Sequence, residues 1–168
     1  VAFWAILLSG DANAFVGNYG RALGEYRVIL TEVPAIYPPP VPAGGQAAID
    51  TLRLDAFYKT ALAYLQMGDD RNVIATVDQM LAAYPTSANA TQIKLGRLLK
   101  AEAMIRQILN GERQASLESV IAEVLPLATD TEPFFVYKYN EMMTNIGLSP
   151  RLDLDTRVLC ARAAFSIG

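Results

Sequence analysis

Gly68-Asp69-Asp70 and Asp153-Leu154-Asp155 are the nearest approach this chain makes to the paired carboxylates of general acid–base chemistry. Asp69 and Asp70 follow a glycine at a turn, where a carboxylate caps the next helix by accepting its free N–H groups. Asp153 and Asp155 precede an apolar helical segment, where acids complement the helix dipole. Both pairs therefore read as helix-start chemistry, and Glu118 and Glu123 read as solvated charges on a helix. The sequence contains no histidine, the commonest general base and metal ligand. Its one cysteine, Cys160, lies in an apolar run as a small hydrophobe and cannot build a disulfide or a zinc site alone. Gly17-Asn18-Tyr19-Gly20 and Gly24 follow no strand, so they imply no dinucleotide site. The expectation is a non-enzyme with no cofactor and no metal.

Charge excludes further classes. Of 168 residues, 52% are apolar and 18% charged, and the net charge is -3, which leaves no basic footprint for nucleic acid. Arg97, Lys100, Arg106 and Arg113 share part of a helical surface, but Glu102 and Glu112 interrupt them, so they read as a solvated face. The longest apolar run, residues 1–8, is too short to span a membrane. With Ser9-Gly10-Asp11 and Ala12-Asn13-Ala14 it imitates the end of a secretory signal, yet it fits a repeat helix better. Asn89-Ala90-Thr91 is a formal glycosylation sequon of low specificity. Cytoplasmic or organellar placement of a soluble chain is favoured over secretion.

The elements are helices punctuated by glycine and proline. Gly17-Asn18 is followed by Pro34 and Gly68-Asp69 by Pro85, at the same spacing of 17 residues. Glycine enters the left-handed conformation that ends a helix, and proline cannot continue one. Between these breaks run stripes at helical spacing: Ala22, Tyr26, Ile29, Leu30 and Val33 in one segment, Val73, Ile74, Val77, Met80 and Leu81 in another. Four hairpins result, over about residues 3–33, 47–84, 89–125 and 133–166, in one domain covering 1–168. The third turns at Asn110-Gly111 and stops at Pro126; the fourth breaks at Gly147. Residues 34–46, with five prolines and Gly44-Gly45, read as a surface loop in which Pro38-Pro39-Pro40 is extended.

The first two hairpins resemble the tetratricopeptide repeat. In residues 3–36 its small crossing residue is met by Gly10, its turn by Gly17, Asn18 and Tyr19, its second-helix alanine and aromatic by Ala22 and Tyr26, and its end by Pro34. In residues 54–87 the matches are Phe57, Ala61, Tyr64, Gly68-Asp69, Ile74, Leu81 and Pro85, while Val73 and Met80 stand where small residues are usual. Beyond Pro85 only the helix–turn–helix order persists.

The resemblance implies an all-α, right-handed solenoid that acts as a protein-interaction scaffold, adaptor or subunit of a larger complex. The places where such repeats clamp a terminal carboxylate hold Leu7, Asp11 and Lys59, so that clamp is missing. The inner face instead carries Trp4, Leu7, Ala14 and Phe15, then Tyr58, Leu62 and Leu65, and by extension Leu98, Ala101, Ile105 and Ile108. An apolar helix or extended segment of another protein fits such a face. The alternative occupant is a hydrophobic small molecule or lipid held by a sensor or carrier.

Overall fold

The computed structural model describes residues 2–38, 43–112 and 116–147. Among them every regular element is helical: α1 (Ala2–Phe15), α2 (Tyr19–Ile36), α3 (Ala43–Gln66), α4 (Asp70–Ala83), α5 (Thr91–Leu109), α6 (Leu117–Val124), a 3₁₀ turn (Leu125–Leu127) and α7 (Pro133–Gly147). Two compact units divide inside α5, Val1–Gly96 and Arg97–Gly168. The expected last helix, Cys160 and the Asp153/Asp155 pair lie outside the described residues, as do Pro39 and Pro40.

Three turns are built alike, and each is legible in one glycine. Gly17, Gly68 and Gly111 have φ of 80°, 74° and 76°. Each glycine N–H donates three residues back, to Ala14, Leu65 and Ile108 carbonyls at 3.0, 3.1 and 3.1 Å. The following N–H, of Asn18, Asp69 or Glu112, donates five residues back at 2.8, 2.9 and 2.8 Å. This double closure is the Schellman motif, which satisfies the orphan carbonyls of a helix end. Asp69 then caps α4, its carboxylate accepting from the Asn72 N–H at 3.2 Å. Further along, Ser116 and Ser119 cap α6 reciprocally, each hydroxyl accepting from the other's backbone N–H.

In the first unit α1 packs on α2, α2 on α3 and α3 on α4, and α1 also meets α3. The α2 stripe of Ala22, Tyr26, Ile29 and Val33 is buried with Leu7, Leu52 and Ala56 in one cluster. Gly10 is buried at the α1–α2 crossing, where an added Cβ would overlap the Tyr26 ring. The small residue at 10 and the aromatic at 26 are thus one feature: the ring occupies space that α1 leaves open.

Three boundaries differ from the sequence expectation. Pro34 does not stop α2, which runs to Ile36. The proline stands in the last turn, where its missing N–H forfeits a single bond, and the Tyr37 N–H still reaches the Val33 carbonyl at 2.9 Å. α3 begins at Ala43, drawing Gly44 and Gly45 into helix and shortening the expected loop. Pro126 sits at the start of the 3₁₀ turn, a position where no helical N–H is required, so α6 passes into it without a gap.

The second unit corrects the reading of Glu123. Its side chain is only 10% exposed, and its carboxylate accepts from Arg97 Nη1 and Lys100 Nζ, both at 2.6 Å. Arg97 and Lys100 are therefore spent on an acid of α6 and do not form an open basic face. Arg106 pairs with Glu102 one turn earlier at 2.7 Å, and Arg113 lies outside the described residues. Glu118 is exposed at the start of α6, its pKa held down by its own backbone N–H and by Ser116. Val120, Val124, Leu127, Phe135, Tyr139, Met143 and Ile146 supply the buried side chains of α6, the 3₁₀ turn and α7.

Candidate functional site

α1 and α3 bound a cleft of about 310 Å³ in the first unit. Ala14 and Phe15 form one wall, Tyr58, Leu62 and Gln66 the other, and Tyr19 of α2 closes one side. Phe15 is 92% exposed and Val16 beside it 74%. A phenylalanine held out in water at a helix end contributes little to the stability of its own unit, because little of its apolar area is buried.

The floor of the cleft is polar but internally neutralised. Asp11 accepts from the Tyr26 hydroxyl at 2.9 Å through Oδ1 and from Lys59 Nζ at 2.5 Å through Oδ2. Side-chain exposures of 26% for Lys59 and 34% for Asp11 place this pair at the water boundary, where it contributes up to about 1 kcal/mol. Its larger consequence is for recognition. A lysine whose charge already faces a carboxylate is a poor receptor for a second one, and the same holds for Asp11 toward a cation.

Three tyrosines of this unit have raised pKa values. Burial is the largest cause for Tyr26, reinforced by its hydrogen bond to Asp11 and by the charges of Asp11 and Glu25. Burial alone raises Tyr58. It also dominates at Tyr84, where Arg53 lies over the ring at 5.6 Å and opposes the shift. Below the unfolded phenol pKa, about 10, folded and unfolded chains hold the same tyrosine protons. Above it the unfolded chain releases protons that the folded chain keeps, so stability falls as pH rises further. We expect ultraviolet titration to show these three ionising at higher pH than the exposed tyrosines. A single class of eight tyrosines titrating near pH 10 with helicity intact contradicts this.

The residues expected on the inner face separate. Phe15, Tyr58 and Leu62 line the cleft together with Ala14. Leu7 is 3% exposed and sits in the core cluster, and Leu65 is 5% exposed, so neither offers surface to a partner. Trp4 is 41% exposed on α1, on the same stripe as Leu8, Asp11 and Phe15 by helical spacing, but outside the cleft wall. Leu98 and Ile105 are half-buried on α5 in the second unit, with Ala101 fully buried between them and Ile108 half-buried beyond. Tyr19 and Gln66 complete the cleft and carry no sequence signal beyond lying near the turn glycines.

No grouping of histidine, cysteine, aspartate or glutamate that could hold a metal occurs among the described residues. No described helix is long and apolar enough to cross a membrane. Comparison with protein-family models, curated proteins and solved structures returns no match.

Proposed function

We propose that this chain is a non-catalytic interaction scaffold whose α1–α3 cleft receives an apolar segment of another protein. The carrying observation is Phe15, 92% exposed at the rim, beside half-buried Tyr58 and Leu62 and above a floor whose charges are already paired. An apolar rim rewards burial, at roughly 25 cal/mol per Å², and the neutral floor selects against ionic guests. The repeated Schellman turns and the Gly10–Tyr26 crossing favour a tetratricopeptide-like solenoid as the scaffold. A subunit role in a larger assembly agrees with the low charged fraction of 18%. A carrier of hydrophobic small molecules is less well supported, since a wall residue as open as Phe15 encloses little.

Selection from a displayed peptide library tests the reading. Binders are expected to carry aromatic or aliphatic residues at helical spacing, or as an extended apolar run. Phe15→Ser should weaken the best of them about 10-fold or more while leaving the melting temperature unchanged. The double variant Tyr58→Ser, Leu62→Ser should weaken them further. Selection of peptides ending in acidic tails, or binding indifferent to all three substitutions in a folded chain, would overturn it. Trp4, the single tryptophan, supplies the optical signal, because a guest running along the α1 stripe covers it and shifts its emission.

A further inference from the structure

An apolar guest of the α1–α3 cleft is either a helix or an extended chain, and the hydrogen-bonding groups of the cleft distinguish the two. On the floor Asp11, Lys59 and Tyr26 satisfy one another. The groups left over stand on the walls. Tyr19 and Tyr58 each bring a phenol and Gln66 an amide, and no hydrogen bond joins these three side chains to another described residue. Tyr58 is half-buried, and burial alone moves its pKa, with no bonded partner contributing. The cleft therefore offers uncommitted donors beside an acceptor, Asp11, whose two oxygens are already engaged.

A guest that covers a phenol must replace the water the phenol loses, because a buried hydroxyl without a partner is costly. An apolar helix does not do so along its length, since its carbonyls are bonded within the helix until the last turn. An extended chain has a free carbonyl at every residue, but most residues also bring an N–H that needs an acceptor. Proline brings the carbonyl without the N–H, so a proline-rich segment presents chiefly acceptors to a cleft with free donors. Its polyproline II form has no internal hydrogen bonds and is ordered before it binds, which lowers the cost of docking.

Size favours the same guest. Tyr58, Leu62 and Gln66 follow one another at four-residue intervals along one face of α3, about 12 Å from end to end. Polyproline II covers that distance with about four residues. A helix needs about eight and, at roughly 10 Å across, occupies roughly 900 Å³ over the same length. The cleft holds about 310 Å³.

We infer that the α1–α3 cleft takes a proline-rich segment of a partner protein in extended, polyproline II form, its carbonyls accepting from Tyr58 and Tyr19 and its rings packing on Phe15 and Leu62. The inference rests on the cleft being a seat for an apolar segment and narrows that seat to one guest.

Two uncharged, end-blocked probes test it by calorimetric titration of the full chain: a repeated Pro-Pro-Leu peptide, and a side-chain-stapled helix of alanine, glutamine and leucine with its leucines on one face. The proline probe should bind at least about 10-fold more tightly than the helix. Tyr58→Phe removes a hydroxyl that bonds to no other described residue, so the melting temperature should stay unchanged while the proline probe weakens about 5-fold. For a helical guest the same substitution is neutral or favourable, because no phenol is then buried unpaired. Tighter binding of the helix, weakened by Phe15→Ser and not by Tyr58→Phe, overturns the proline assignment and leaves the cleft as an apolar seat. Proline binding that neither Tyr58→Phe nor Tyr19→Phe weakens overturns the hydroxyl contacts. Binding of neither probe overturns this inference alone, since apolar binders from the displayed library then still support the cleft. Binding of either probe that is indifferent to Phe15→Ser in a folded chain overturns the cleft as its seat.

Discussion

Gly10→Ala is expected to destabilise the first unit by about 2 kcal/mol, although alanine is the better helix former by about 1 kcal/mol. The reason is the Tyr26 ring. A Cβ at position 10 overlaps that ring and would lie 2.9 Å from its Cδ1. The ring cannot retreat, because Tyr26 is 1% exposed, has Ala22, Ile29, Leu52 and Ala56 in its cluster, and is tied at its hydroxyl to Asp11. Relief must come from separating α1 and α2, which loosens the core that holds Asp11 and the cleft floor. Urea denaturation followed by Trp4 emission reads this unit. In a Tyr26→Leu background the cost of Gly10→Ala should fall by more than half, because the ring is gone; unchanged cost there would show that the crossing is not the cause.

Gly96 is the internal control. A Cβ there would also overlap a neighbour, but the neighbour is the terminal methyl of Met80. A methionine end has three rotatable bonds behind it and moves at little cost. Gly96→Ala should therefore change stability by less than about 0.5 kcal/mol or raise it slightly. Two buried helical glycines with similar overlaps should thus differ in cost, because one faces a pinned ring and the other the flexible end of a methionine.

The features readable in the sequence are those set by backbone chemistry or by one residue's size. Gly17, Gly68 and Gly111 announce their turns because only a residue without Cβ adopts that φ readily, and Asp69 announces its cap because its donors are three residues away. Gly10 and Tyr26 are legible as a pair only through the repeat resemblance. What escapes is decided between helices. α1 is apolar on nearly every side in Phe3 to Leu8, so periodicity cannot choose which of its residues face inward, and of Trp4 and Leu7, both expected on the inner face, Leu7 is buried in the core while Trp4 stays exposed. Asp11 and Lys59 are 48 residues apart, and no local pattern connects them. Pro34 misleads because a missing N–H in a final turn is tolerated.

Glu123 escaped for the same reason and carries the other large expected effect. α6 has eight residues, too few to be stable alone, and buries only Val120 and Val124. Its hold on α5 therefore leans on Glu123, which ties Arg97 and Lys100 with side chains 24% and 14% exposed. Glu123→Ala leaves two like charges facing each other with restricted access to water. Full burial would make the loss about 3–5 kcal/mol; partial solvation of the two cations brings the expectation down to about 2 kcal/mol. Hydrogen exchange should then accelerate through α6 while α1 to α4 keep their protection. Added salt should recover part of the loss in the variant, by screening Arg97 from Lys100, and leave the parent chain nearly unaffected. Glu102→Ala, which breaks an exposed pair with Arg106 at 40% and 47% side-chain exposure, should cost less than about 0.5 kcal/mol. Equal effects of the two substitutions would mean that burial of Glu123 contributes nothing, and that Val120 and Val124 alone hold α6 in place.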